Sequence, residues 1–169
     1  MKRAVHILSD AVAPLWRRLP PLAQLALASL RAPPHWVSVA AVIRDEHDRV
    51  LLVEHRLRTP ALSVPGGFVA RGEQPEQALR REVREEVGIE LTRVTVAFVQ
   101  ALVDTPQMEI VYSCRAGGAP AADGLEALSA RWVPLADLPR DLHEDERARI
   151  LRAVHPDPRP APRREAPAA

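Results

Sequence analysis

The sequence predicts an α+β or α/β sandwich around a mixed β-sheet, with a helical segment before it, on three observations. Strand-like apolar runs stand on both sides of one long amphipathic helix, a second helical stretch closes the domain, and no internal repeat breaks the order. Val37–Ile43 (VSVAAVI) reads as a buried strand, Asp45–Asp48 as the turn after it, and Arg49–Val53 as its hairpin partner. Pro65-Gly66-Gly67 reads as a loop. Pro75–Val87 reads as a helix, with Pro75 at its first position, where a missing N–H is harmless, and Gly88 at its C-terminal stop. Thr92–Val103 and Glu109–Arg115 read as two long strands, Arg131–Pro134 as a short one, and Leu142–Val154 as the closing helix.

The 169 residues hold 23 Lys+Arg and 22 Asp+Glu, a formal net charge of +1. That balance excludes a polyanion binder driven by global charge and an acidic, charge-extended disordered chain. A hydrophobic fraction of 47% supports a real core, and the length predicts one domain with appendages. The single cysteine, Cys114, excludes an internal disulfide framework and a Cys-based zinc cluster; in a predicted strand it reads as a small buried hydrophobe. Arg outnumbers Lys 22 to 1, so an isolated Arg carries little functional weight.

The chain divides into three parts. Residues 1–34 carry five basic residues and one acid and read as two helical pieces broken at Pro20-Pro21. No uncharged run approaches the ~18 residues that span a bilayer, and His6, Ser9 and Asp10 interrupt any signal-peptide pattern. No charged face is cleanly separated, so a helix packed on its own domain, or on a second subunit as a homodimer, is preferred to peripheral contact with a membrane. Residues 35–154 form one domain; residues 155–169, with five Pro and no apolar period, form a disordered tail. A cytoplasmic location is expected.

The chemistry concentrates in one window: six of the 13 Glu lie between residues 73 and 90. On a helix at about 100° per residue, Leu79, Val83 and Val87 form an apolar stripe, and Glu82, Glu85 and Glu86 an adjacent one. Like charges at this spacing weaken a helix by a few tenths of a kcal/mol per close pair, roughly. A hard divalent cation such as Mg²⁺ or Mn²⁺, which takes oxygen ligands, accounts for them. A solvated acidic face interleaved with Arg80, Arg81 and Arg84 accounts for them equally well on spacing alone. Glu73 lies in the loop before the helix, and Arg81, four residues before Glu85, partly neutralises the cluster.

At this point the window resembles a known family. Gly67, Glu73, Arg81-Glu82-Val83, Glu85-Glu86, Gly88 and Ile89 meet every position of the Nudix box, G-x5-E-x7-R-E-U-x-E-E-x-G-U. In a chain of this composition that match arises by chance on the order of once in ten million. The later Arg131-Trp132 strand and Leu135–Leu138 extend the likeness over residues 35–154. The resemblance implies an α/β/α sandwich with the box as loop–helix–loop. It implies divalent-metal-dependent cleavage of a nucleoside diphosphate linked to another moiety, or of a nucleoside triphosphate. It also implies Glu82, Glu85 and Glu86 as metal ligands, aided by the Gly66 carbonyl, with Arg81 orienting Glu73.

A bare acidic face repels a diphosphate; divalent ions reverse that sign and draw charge from the leaving oxygen. A metal-activated water is then expected to attack one phosphorus in line, with a carboxylate taking its proton. Glu82 and Glu126, the latter six residues before Trp132, are the two candidate bases; Glu126 reads equally as a plain surface residue. Arg56 and Arg58 follow the second strand and are candidates to grip a terminal phosphate, against the commoner solvent-exposed role. Phe68 and Trp36 are candidates to stack on a base, against packing or surface cover. His143-Glu144-Asp145-Glu146 opens the last helix and reads as acids favoured by the helix N-terminus rather than as a metal cluster.

Substrate choice is weakly written. The motif of NADH-cleaving relatives and a coenzyme A signature are absent, while Pro106 and Tyr112 miss the spacings of ADP-ribose and dinucleoside-polyphosphate hydrolases. Two alternatives stand beside the small-molecule hydrolase. One is a non-catalytic module of this fold sensing a nucleotide or nucleotide sugar, disfavoured because every box carboxylate is kept. The other is an RNA 5′-end pyrophosphohydrolase, disfavoured because residues 35–154 carry 15 basic against 19 acidic residues. No DNA partner is expected.

Overall fold

The computed structural model describes residues 13–14, 16–30, 34–103 and 105–155. The expectations for residues 1–12 and for the tail beyond His155 lie outside the described residues. The chain forms two compact units, one up to His35 and one from Trp36. In the first, residues 16–18 are helical and α1 (Pro21–Ser29) follows the break at Pro20, whose extended ψ of 149° cannot continue a helix. The Gln24 amide donates to the carbonyls of Trp16 and Leu19, at 2.9 and 3.1 Å, and so ties the two pieces. No helix among the described residues is long and apolar enough to cross a membrane.

The second unit runs β1 (Trp36–Arg44), β2 (Arg49–His55), β3 (Leu62–Ser63), β4 (Gly66–Phe68), α2 (Pro75–Val87), β5 (Arg93–Ala101), β6 (Gln107–Arg115), β7 (Ala127–Pro134), a 3-10 turn (Leu135–Asp137) and α3 (Glu144–Val154). Asp45 sets the first turn: its carboxylate accepts the N–H groups of His47 (3.0 Å) and Arg49 (2.9 Å), and Asp48 takes the left-handed conformation at φ 57°. β1 runs parallel to β6, while β5 pairs antiparallel with β6, and β7 with β2. The sheet is therefore mixed, as expected.

β1 and β2 pair beside their turn, with Arg44 opposite Val50, and then part. β4 takes the edge that β1 releases, placing Gly66 opposite Ala40 and Gly67 opposite Val39. The expected loop at residues 65–67 is thus partly strand, set into the split between the two long strands. A Cβ on Gly66 would lie 2.1 Å from the Val39 carbonyl oxygen, a backbone atom that cannot move aside. Gly66→Ala is accordingly expected to cost about 4 kcal/mol or more; an unchanged urea midpoint would contradict this packing.

Side chains of β1 alternate between two cores. Val39, Ala41 and Ile43 pack with Leu79, Val83 and Val87 of α2, while Ala40 and Val42 pack with Leu142, Ile150 and Ala153 at α3. Burial on both faces explains why the strand reads as a near-continuous apolar run, broken at Ser38, and gives the α/β/α sandwich. α2 spans the expected residues. Gln74 and Gln77 form a reciprocal capping box, and Gly88 ends the helix at φ 67° with its N–H on the Arg84 carbonyl. β7 starts at Ala127, four residues earlier than its sequence suggests, because its pairing with β2 reaches His55. Cys114 is buried, and burial pushes its thiol up to about 12.

Candidate active site

The solvent-facing stripe of α2 meets the β1–β2 split. Arg81 is the hub of its outer part. Its guanidinium donates to both Glu73 oxygens (3.0 and 3.1 Å), to Glu82 Oε1 (2.8 Å), to Glu85 Oε2 (3.1 Å) and to the Phe68 carbonyl (3.2 Å). Arg81 hydrogen bonds, with help from the Ala70 N–H, hold the Glu73 carboxyl below its ordinary range. The Glu82 carboxylate fills the space above Gly67, where a Cβ would lie 2.3 Å from Glu82 Cδ. That glycine is what makes room for the carboxylate.

Glu86 forms the inner part and is only 2% exposed. Its Oε2 accepts the Gly66 N–H (3.1 Å) and its Oε1 accepts Arg58 Nη2 (2.7 Å); the same Nη2 donates to the Gly66 carbonyl. Burial pushes the Glu86 carboxyl up to about 7, with the charges of Glu82 and Glu126 adding to the rise and Arg58 and the Gly66 N–H opposing it. His55 lies beside this pair, its Nδ1 3.6 Å from Glu86 Oε1. Burial, together with Arg58, brings its imidazole down to about 4, so it is neutral at pH 7. His55 escaped the sequence reading because a lone histidine at the end of a strand has no partner spacing.

Glu126 is exposed on a loop that is unusually well tied. The Asp123 carboxylate accepts the N–H groups of Leu125, Glu126 and Ala127 at 3.0 to 3.1 Å. Arg56 spends its guanidinium on the carbonyls of Gly124 and Leu125, both at 3.1 Å, and its own N–H on the Glu126 carbonyl at 2.9 Å. Arg56 thereby positions the loop that carries Glu126, whose charge is felt at Glu86. Phe68 is exposed beside Gly67 and meets Trp36 edge-to-face at 6.2 Å.

The structure thus gathers Glu73, Glu82 and Glu85 about Arg81, and Glu86 and the Gly66 carbonyl about Arg58. Among the described residues no three His, Cys, Asp or Glu side chains stand together at metal-binding spacing; Arg81 lies among three of the acids, and Arg58 between Glu86 and the Gly66 carbonyl. The donor set still fits a divalent cation. It is all oxygen, as hard cations require, and two of its members, Glu86 Oε1 and the Gly66 carbonyl, already share one positive group in Arg58 Nη2.

The described unit is an α/β/α sandwich in which α2 sets an oxygen-rich face at a split in the sheet. The NUDIX domain family model matches residues 34–154. A MutT-like protein of Streptomyces ambofaciens is 28% identical over 122 residues, 72% of this chain and 79% of that protein. The 8-oxo-dGTP diphosphatase of Proteus vulgaris is 40% identical over 60 residues, 34% of this chain and 54% of that protein. The crystal structure of a MutT NUDIX hydrolase from Burkholderia pseudomallei superposes with a TM-score of 0.62 at 29% identity, covering 69% of this chain and 96% of that one. The chain belongs to the Nudix family, as a pyrophosphohydrolase.

Proposed function

We propose that the chain cleaves the diphosphate bond of a nucleoside diphosphate linked to another moiety, or of a nucleoside triphosphate, with Mg²⁺ or Mn²⁺ as cofactor. One observation carries this reading: Glu86 and the Gly66 carbonyl converge on a single positive group beside Glu82, at the rim of a cleft of about 420 Å³. Glu82, Glu85, Glu86 and the Gly66 carbonyl are the groups that would hold the cation. When bound, it supplies Lewis-acid polarisation of the phosphate and a lowered pKa for water.

The chain's own residues supply the rest. Arg81 keeps Glu73, Glu82 and Glu85 on one face against their mutual repulsion. Arg58 lines the cleft with its side chain 37% exposed and is the cation placed to meet a phosphate oxygen. Glu126 is the base that we favour over Glu82, because its carboxylate is exposed on a tied loop whereas Glu82 is held by Arg81.

Hydrolysis of a nucleotide panel in Mg²⁺ and in Mn²⁺ tests the reading. The panel includes GTP, ATP, ADP-ribose, an RNA with a 5′-triphosphate, and 8-oxo-dGTP, the compound named for the Proteus vulgaris relative. Cleavage of at least one small nucleotide to two phosphate-bearing products is expected. No cleavage of any member by folded protein would overturn the reading.

A further inference from the structure

Arg58 is held by two of the groups that would hold the cation. Its Nη2 donates to Glu86 Oε1 at 2.7 Å and to the Gly66 carbonyl, and its Nη1 lies 3.4 Å from His55 Nε2. His55 is neutral at pH 7, so with the proton on Nδ1 its Nε2 accepts that donor. Glu86 and His55 are both buried, whereas the Arg58 side chain is partly exposed and lines the cleft. The guanidinium therefore stands at the border between a sealed carboxylate and open solvent.

A buried carboxylate needs a positive partner. Arg58, charged at any working pH, supplies one to Glu86 without a metal. It does so through the same pair of oxygens that a hard cation such as Mg²⁺ would take at about 2.1 Å. One nitrogen within hydrogen-bond reach of both oxygens leaves no room for a cation at that pair, and the two positive charges repel at such close range. Arg81 also touches two would-be ligands, Glu82 and Glu85, but it is anchored elsewhere, on both Glu73 oxygens and on the Phe68 carbonyl. Arg58 has no such anchor beyond His55.

We infer that Arg58 is the resident counter-charge of the cation position, that a divalent cation displaces it from Glu86 and the Gly66 carbonyl, and that only the displaced guanidinium reaches a substrate phosphate in the cleft. The displacement rests on the proposed metal dependence and adds an order to it: the cation enters first and releases the arginine. Moving Arg58 lowers the apparent affinity for the cation. By reciprocity, a phosphate that engages the released guanidinium raises that affinity.

¹⁵N NMR of the arginine side chains tests this on the full chain without any nucleotide or turnover. In EDTA, Arg58 is expected to show separate, slowly exchanging Nη signals. Saturating Mg²⁺ is expected to abolish them while Arg81 keeps its own, with the Gly66 amide signal reporting that the ion has bound. Arg58 signals unchanged while the Gly66 amide shifts would overturn the displacement. Electron paramagnetic resonance of free Mn²⁺ gives a second readout: Arg58→Gln is expected to bind the ion about tenfold more tightly than the parent, because its built-in competitor is gone. Equal or weaker binding by the folded variant would overturn the inference, and if that variant fails to fold, the NMR of the parent decides. A parent that binds neither ion would sink the displacement together with the proposed metal dependence. Ion binding with Arg58 unmoved sinks the displacement alone.

Discussion

Glu86→Gln is expected to lower kcat/KM by more than about 100-fold, the loss seen when mere supports of metal ligands are removed. The fold should survive the change, because Gln keeps the shape and Arg58, partly exposed, can turn to water. The chelated variant should also lose the part of the parent's pH dependence of stability that Glu86 supplies. The Glu86 carboxyl is raised from 4.5 to about 7, chiefly by burial. Between those values the native protein binds more protons than the unfolded chain, so Glu86 makes stability fall as pH rises from 4.5 to about 7, and flat above. Gln has no such titration. Unfolding free energies from urea titrations in EDTA should therefore shift in favour of the variant between pH 5 and pH 8, by at most about 3 kcal/mol. Parallel pH curves for the two proteins would contradict the burial of a titrating Glu86.

Gly67→Ala is expected to lower kcat roughly 100-fold, the scale on which a misplacement of about 1 Å acts at a reacting centre. The new Cβ would lie 2.3 to 2.5 Å from the Glu82 carboxyl atoms. The carboxylate is the end of a flexible side chain and can swing away, so the cost falls on its placement and on the 2.8 Å bond from Arg81, not on the backbone. Gly67 also lies outside the left-handed region, and alanine suits its conformation. The two neighbouring glycines thus separate by mechanism: Gly66→Ala damages the fold, Gly67→Ala the site. Thermal melting and kcat measured on both variants check this; a normal kcat in folded Gly67→Ala would contradict the role given to Glu82.

The box helix was fully legible. Pro75, Gly88 and the Leu79–Val83–Val87 stripe are local signals, and the observed helix begins and ends where they place it. β1, β2, β5 and β6 were legible for the same reason, with ends off by one or two residues. β3 and β4 were not, since two- and three-residue strands exist only because β1 and β2 part and free their edges. In the site, the carboxylate stripe followed from helical spacing. The particular work of Arg56 and Arg58 did not, because each is one Arg in a chain with 22, and Gly124, Leu125 and Glu86, which they bind, lie 28 to 69 residues away. Glu146 shows the same limit: locally it is one more acid in a first helical turn, and only its ion pair with Arg149, which also meets Glu109 of β6, goes with its burial.

In the proposed function the acidic face of α2 works through a divalent cation on a phosphoanhydride. The most direct measurement follows turnover of the best panel nucleotide by ³¹P NMR in one folded sample, first with Mg²⁺, then with excess EDTA, then with Mg²⁺ restored. Cleavage is expected to fall to background with the chelator and to return with the ion. Full cleavage in EDTA, or none with any nucleotide in either ion, would contradict it.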